Sequence, residues 1–333
     1  MNILPLVASA FAVLGASLAG SWLAARELSR RGVVDVPNAR SSHRIPVPRG
    51  GAVAFVFVAL IGWAALTLTG QAEISTALLV AAVAVATISF ADDVRGVAWP
   101  ARLAVQAGAI ALGLLSLPGE RPLLFDWLPL PVDRAITGLM WLWFVNLFNF
   151  MDGIDGIASV EALVVTLGIV LLAVVAGETG WPVAPALILA AAVAGFLPFN
   201  LPPARMFMGD VGSATLGFLI GWLLIRVAAE GALATALLLA LYFIADATIT
   251  LVRRAVRRES LHRAHRLHAY QRAVDGGRSH GFVSTAVGAL GLSLVALGGL
   301  ALSRPMLAFG LGLAVTLAFM FWLGSPPPPR QGD

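Results

Sequence analysis

The chain has 333 residues, of which 59% are hydrophobic and only 12% charged. A soluble domain carries about 25% charged residues, so a water-soluble globule is excluded, and the high hydrophobicity excludes intrinsic disorder. The net charge is +4, its 22 basic residues are all Arg, and the lack of Cys excludes disulfides, thiolate metal sites and a Cys nucleophile. What remains is an integral membrane protein.

A membrane helix needs about 20 mainly apolar residues. Eleven such stretches are predicted: 3–25, 50–69, 74–91, 101–117, 134–149, 159–176, 182–198, 211–228, 232–252, 282–302 and 305–324. The fifth is the weakest, because it opens on Arg134. A signal peptide is an alternative for the first. However, it lacks a basic leading segment, and its apolar run exceeds the usual ~7–15 residues. No long polar linker divides the chain. The expectation is an all-α, polytopic membrane domain over 1–325, followed by a Pro-rich, extended tail over 326–333.

The arginines orient the spans. Counting Arg102 at the start of the fourth stretch, 18 of the 22 Arg fall in one alternate set of loops. These are 26–49, 92–101, 150–158, 199–210, 253–281 and the tail. Arg121, Arg134, Arg226 and Arg304 fall in the other set. The positive-inside rule puts the first set in the cytoplasm and the N-terminus in the periplasm. All five His (His43, His262, His265, His268 and His280) lie in the cytoplasmic set, as do Asp92, Asp93, Asp152, Asp155 and Asp210. Their gathering points to one site on the cytoplasmic face. A generically polar inner face is the plain alternative.

Asp92 and Asp93 end the third stretch. Adjacent carboxylates repel, so the pair calls for a cation or a shared proton. With oxygen ligands and no Cys, the natural cation is Mg²⁺ or Mn²⁺. A helix C-terminus is already negative and suits two acids poorly. Asn149, Asp152 and Asp155 follow at spacings of three, which on a helix makes one polar stripe. Gly153 and Gly156 allow a close backbone approach or a broken helix, and a simple Asp-Gly turn also explains them. Phe207 and Asp210 follow Pro202 and Pro203. There Asp210 is placed to cap the next helix, whose amides suit phosphate oxygens.

In the last loop His262, His265, Arg266 and His268 are interleaved and suit a diphosphate, to which Arg gives bidentate contacts. Arg253 to Arg258 also reads as an anionic-lipid contact. Zinc and nucleic acid are the weaker readings of this loop. Asp246 lies inside the ninth stretch, where acids are costly and usually paired. It reads as a structural or proton-shifted partner rather than a catalyst.

Together these motifs resemble the bacterial polyprenyl-phosphate N-acetylhexosamine-1-phosphate transferases, glycosyltransferase family 4, which also includes phospho-N-acetylmuramoyl-pentapeptide transferase. The resemblance runs from Asp35, Asn38, Arg40 and His43, with Pro48 and Gly51, through Asp92–Asp93, Asn149–Asp155 and Phe207–Asp210 to the His-Arg loop. The peptidoglycan enzyme carries consecutive His in that loop. Here Arg266 and Leu267 separate His265 from His268, so the loop resembles the O-antigen-initiating type.

The resemblance implies a UDP-N-acetyl sugar donor, an undecaprenyl phosphate acceptor, Mg²⁺ (Mn²⁺ as the substitute) and an inner-membrane location, and it is compatible with a homodimer. By motif position, Asn149 and Asp210 would hold the metal. Asp92 and Asp93 would sit beside it, one of them near the lipid phosphate. Arg102 would take phosphate, Asp155 the uridine, and Phe207 would stack on the uracil. His265, Arg266 and His268 would meet the diphosphate or sugar, and Asp152 would share the pocket. The alternatives outside the family are a transporter, whose acids would lie nearer the midplane, and a CDP-alcohol transferase, whose acids crowd a few consecutive helical turns. No residue names the sugar.

Overall fold

The computed structural model describes residues 3–31, 34–35, 47–48, 50–260 and 265–325. The fold is all-helical apart from one short antiparallel bridge, β1 (Val34–Asp35) with β2 (Val47–Pro48). Asn38, Arg40, His43, Arg49, His262, Arg263 and the tail 326–333 lie outside the described residues.

The helices in chain order are α1 (Ile3–Arg31), α2 (Val53–Leu68), α3 (Thr76–Arg95), α4 (Trp99–Leu114), α5 (Leu130–Met151), α6 (Ile157–Ala176) and α7 (Val183–Asn200). Then come α8 (Gly209–Val227), α9 (Leu233–Leu239), α10 (Leu241–Val256), α11 (Ala269–Asp275), α12 (His280–Ala301) and α13 (Pro305–Gly324). Every predicted stretch is helical, but two expectations need correction. The ninth stretch is two helices, broken at Ala240, where φ is −118° and ψ 15°. The fifth starts earlier, at Leu130, because Pro129 and Pro131 open a first turn in which Asp133 is buried. Its carboxylate accepts the backbone N–H groups of Leu123, Leu124 and Phe125.

Among the described residues seven helical segments are long and apolar enough to cross a membrane, with α2 a shorter apolar helix. The chain is a multi-pass membrane protein, with seven candidate spans among the described residues.

The segment Gly209–Leu239, which opens with α8, is the central post, with 94% of its most apolar window buried. It packs on α3 and α5 along their length. Small residues make this possible. A Cβ on Gly217 would come within 2.9 Å of Val145 Cα, so α8 meets α5 backbone to backbone. Trp141 of α5 spans the same seam and donates its indole N–H to Phe218 O at 2.9 Å. Around this post, α1 packs on α7 and α2, and α6 on α7 and α12.

Hydrogen bonds from Arg102 to Asp92 and Asp210, and from Asn149 to Ser213, show that the C-terminal ends of α3 and α5 meet the N-terminal ends of α4 and α8. The opposite ends surround a cavity of about 830 Å³ lined by Gln71, Ser116, Glu178, Trp181, Trp222 and Arg226. The N-terminal half of α1 lies there too, since Ser9 Oγ accepts a hydrogen bond from Gln71.

Candidate active site

α3 stops at Gly96, whose φ of 67° few other residues tolerate. The chain then turns at once into α4, which brings Arg102 back over Asp92. One Arg102 nitrogen donates to both Asp92 and Asp210, the latter at 2.8 Å. Two carboxylates from helices 118 positions apart (Asp92 and Asp210) thus share one guanidinium.

Asp93, the next residue, does something different. Its two oxygens accept the backbone N–H groups of Asp210 at 3.0 Å and Val211 at 2.9 Å. The first amides of α8 have no intrahelical acceptor and carry the positive end of its dipole. Asp93 satisfies both needs from another helix. This corrects the expectation that Asp210 caps α8: Asp210 gives its amide to Asp93 and turns its side chain to Arg102. Gly209 makes the approach possible, since its φ is 71° and a Cβ there would sit 2.7 Å from Asp93 Oδ2.

α5 joins this cluster through Asn149, whose Nδ2 donates to Ser213 Oγ at 2.8 Å. Ser213 in turn donates to Gly209 O at 3.0 Å. α5 then ends at Met151, and Asp152 is its C-cap at φ −85°, ψ 61°. Of the two readings, one helical stripe or a broken helix, the structure shows the break. Asn149 and Asp152 share the end of α5, but Asp155 lies beyond the break. The break and the close approach allowed by Gly153 and Gly156 are both present: Gly156 has φ 79°, and Gly153 lies against Tyr270.

Asp155 is partly buried and faces another neighbourhood. Its Oδ2 accepts Ala204 N–H at 3.0 Å, and its Oδ1 lies 3.2 Å from His280 Nδ1. Ala204 belongs to the Pro202–Pro203 turn that leads to Phe207, which is half-buried just before α8. His280, read earlier only as one of five clustered histidines, is thus a partner of a site residue. No local spacing could have revealed this contact across 125 positions.

The His-Arg segment enters at the end of α10. Asp246 is fully buried, and both its oxygens accept the Ala269 N–H that opens α11, at 2.9 and 3.0 Å. Tyr242 and Thr250 donate to the same carboxylate at 3.1 and 3.3 Å. Its structural role, one of the two readings taken from the sequence, is what the geometry displays.

His268 is 1% exposed, its ring stacked on Tyr270 and 4.8 Å from His265. His265 is more open. Burial first, then His268 and Arg254, push its imidazole down to about 4, so it is neutral at pH 7. Its Nδ1 is buried and, among the described residues, without a hydrogen-bond partner. Arg266 pairs with Asp275 at 2.5 Å.

Among the described residues no three His, Asp or Glu side chains form a closed metal cage. Asp92 and Asp210 instead bring hard carboxylate oxygens together on one guanidinium, with Asn149 linked to them through Ser213 and Gly209. Such oxygens fit Mg²⁺, an ion that takes one or two carboxylates and completes its shell with water and substrate phosphate.

Comparison with known proteins bears out the resemblance read from the motifs. Residues 75–228 match the model of glycosyl transferase family 4. The chain is 26% identical over 261 residues to the probable undecaprenyl-phosphate N-acetylglucosaminyl 1-phosphate transferase of Bacillus subtilis, covering 75% of this chain and 72% of that protein. It is 30% identical over 219 residues to the decaprenyl-phosphate N-acetylglucosaminephosphotransferase of Mycobacterium tuberculosis, covering 58% of this chain and 53% of that protein. It thus spans about half the length of the mycobacterial relative. A third similarity, 41% over 95 residues, covers 28% of this chain and 30% of the phospho-N-acetylmuramoyl-pentapeptide-transferase of Moorella thermoacetica. The family match contains every acid of the site and stops before the His-Arg segment.

Proposed function

We propose, from this likeness to glycosyl transferase family 4, that the chain transfers an N-acetylhexosamine-1-phosphate, or its 6-deoxy variant, from a UDP-sugar to undecaprenyl phosphate. UMP leaves, and the lipid-linked sugar starts a glycan such as O-antigen. The observation that carries the reading is the sharing of one guanidinium by Asp92 and Asp210, beside a helix N-terminus and at the end of a membrane bundle. Such a place suits a phosphate-rich reaction between a lipid head group and a water-soluble nucleotide.

In this reaction an oxygen of the lipid phosphate forms a bond to the β-phosphorus of the donor, and the bond from that phosphorus to the bridging oxygen breaks. UMP carries away the electron pair. Such transfers rest on positioning and charge neutralisation more than on covalent help from the protein. Asn149, Asp92 and Asp210 are the groups to hold Mg²⁺, which when bound offsets charge on phosphate oxygens. Arg102 turns from the carboxylates to a phosphate, for which its planar fork is suited. Asp93 holds the α8 amides in place, and neutral His265 offers an uncharged ring to the diphosphate or sugar.

The acceptor tail has a candidate berth. An apolar cleft between α5, α8, α9 and α10 is walled by Met140, Trp143, Phe144, Leu147, Leu237 and Ile244. Leu147 is the cleft residue nearest to Asn149 along α5, while Ala228 and Leu233 line its other end. The arginine distribution supports a cytoplasmic site in the inner membrane.

The test is UMP release by purified protein with Mg²⁺ and undecaprenyl phosphate across a panel of UDP-N-acetyl sugars. Release that stops on adding EDTA supports the reading and names the donor. No release from a folded sample that still binds UDP overturns it. Including UDP-N-acetylmuramoyl-pentapeptide in the panel tests the peptidoglycan alternative, which the Moorella similarity keeps in view.

A further inference from the structure

We propose that Tyr270 is a positioning residue: it fixes the His265–His268 segment to the end of α5, the helix that carries Asn149 and Asp152. α11 has only seven residues, far fewer than the ~12–15 at which an isolated helix becomes marginally stable. Its place is therefore set by what it touches. Asp246 ties its first amide to α10, and Tyr270 ties it to α5.

Tyr270 is fully buried, and its hydroxyl donates to Phe150 O at 3.0 Å. Phe150 lies in the last turn of α5, where carbonyls have no intrahelical partner. The phenol satisfies one of them. The turn that follows is shaped around the same hydroxyl, since a Cβ on Gly153 would meet Tyr270 Oη at 2.2 Å. On its other side the Tyr270 ring lies nearly parallel to His268, with centroids 5.6 Å apart and planes 12° apart. His268 then lies against His265. One side chain thus connects the α5 turn to the stacked histidines, and the two halves of the site keep register through it. Because His268 is enclosed by this stack, His265 is the member of the pair left to meet a ligand.

The activity arm of the test rests on the proposed transfer; the structural arm does not. Tyr270→Phe keeps the ring and the stack but loses the hydroxyl. UMP release should fall in kcat by about five- to tenfold, the usual worth of one such hydrogen bond, with the donor KM within about twofold. Hydrogen exchange should speed up at amides 149–156 and 265–272 together, while α6 and α12 stay unchanged.

Gly153→Ala should be worse than Tyr270→Phe, because the new methyl meets the hydroxyl. Adding Tyr270→Phe to Gly153→Ala should then restore part of both thermal stability and activity. Unchanged exchange in the two segments, or a double variant no better than Gly153→Ala alone, would overturn the proposal. Coupled exchange with rescued stability supports it even if no UDP-sugar is turned over, in which case only the transfer reading fails.

Discussion

Asp93 and Asp246 do the same local job in two regions and differ in what surrounds them. Each caps the first amides of a helix from a different helix, Asp93 those of α8 and Asp246 that of α11. Asp246 is fully buried and also takes the hydroxyls of Tyr242 and Thr250. Its lone pairs are spent within the fold. Asp93 is partly open and sits next to Asp92, which shares Arg102 with Asp210. A carboxylate enclosed by its own donors builds structure. A carboxylate at the mouth of a cluster, beside acids that share one guanidinium, stays open to solvent and to a ligand.

The largest expected effect comes from removing a charge at the open cluster. Asp210→Asn should reduce Mg²⁺-dependent UMP release by roughly a hundredfold or more, the scale of losing one electrostatic contact to a transition state, with melting little changed. Near-wild-type turnover would end the metal assignment and weaken the comparison.

Asp246→Asn should do the reverse. It replaces a carboxylate that accepts from Tyr242, Thr250 and the Ala269 N–H by a group that carries its own donors. A loss of about 2–4 kcal/mol in stability is expected, from the ~1.5–3 kcal/mol usual for a hydrogen bond to a charged group, visible as a lower thermal midpoint in detergent. If Asp246→Asn melts like the wild type, the buried carboxylate is not the structural one.

Arg102→Ala sharpens the description of the open site and should cost about tenfold in turnover, since a charge-assisted phosphate contact is lost. Yet it should strengthen divalent-ion binding measured without donor, by Mn²⁺ paramagnetic resonance, because the resident counter-ion of Asp92 and Asp210 is gone. Weaker Mn²⁺ binding would mean that Arg102 builds the cation site instead of competing with it.

The smallest effect is on pH. His265 is held at about 4 in the fold, against ~6.5 in an unfolded chain. Between these values the unfolded state binds more protons, so stability is complete above about pH 6.5 and falls as the pH drops toward 4. His265 is not deeply buried, so screening should keep this below ~1 kcal/mol. His265→Gln should flatten the slope of melting temperature between pH 7 and 5, and an unchanged slope would show that other groups set it.

Much of this molecule was legible before its fold was seen. Apolar length fixed where the helices run, because a bilayer demands it of any sequence, and residues such as Asp92, Asn149 and Asp210 stood out because polar groups at apolar helix ends are costly without a use. The break at Ala240 was not legible, since residues 233–252 are almost uniformly apolar and carry no turn signal. Whether Asp155 shared a helical stripe with Asn149 or lay beyond a break stayed open, because spacing alone does not say where a helix stops. Asp210 was given a cap that belongs to Asp93, as local spacing cannot see a partner 117 positions away.

By itself, then, the sequence determined the membrane class, the helix positions and the set of acids and histidines that gather at one end. Only the tertiary structure decided which of them face one another: Arg102 between Asp92 and Asp210, His280 beside Asp155, and Tyr270 between the α5 turn and His268. The physical reason is one of range. Hydrophobicity and helix periodicity act over a few residues and are written along the chain, whereas hydrogen bonds at helix ends are made by whichever distant group packing brings there.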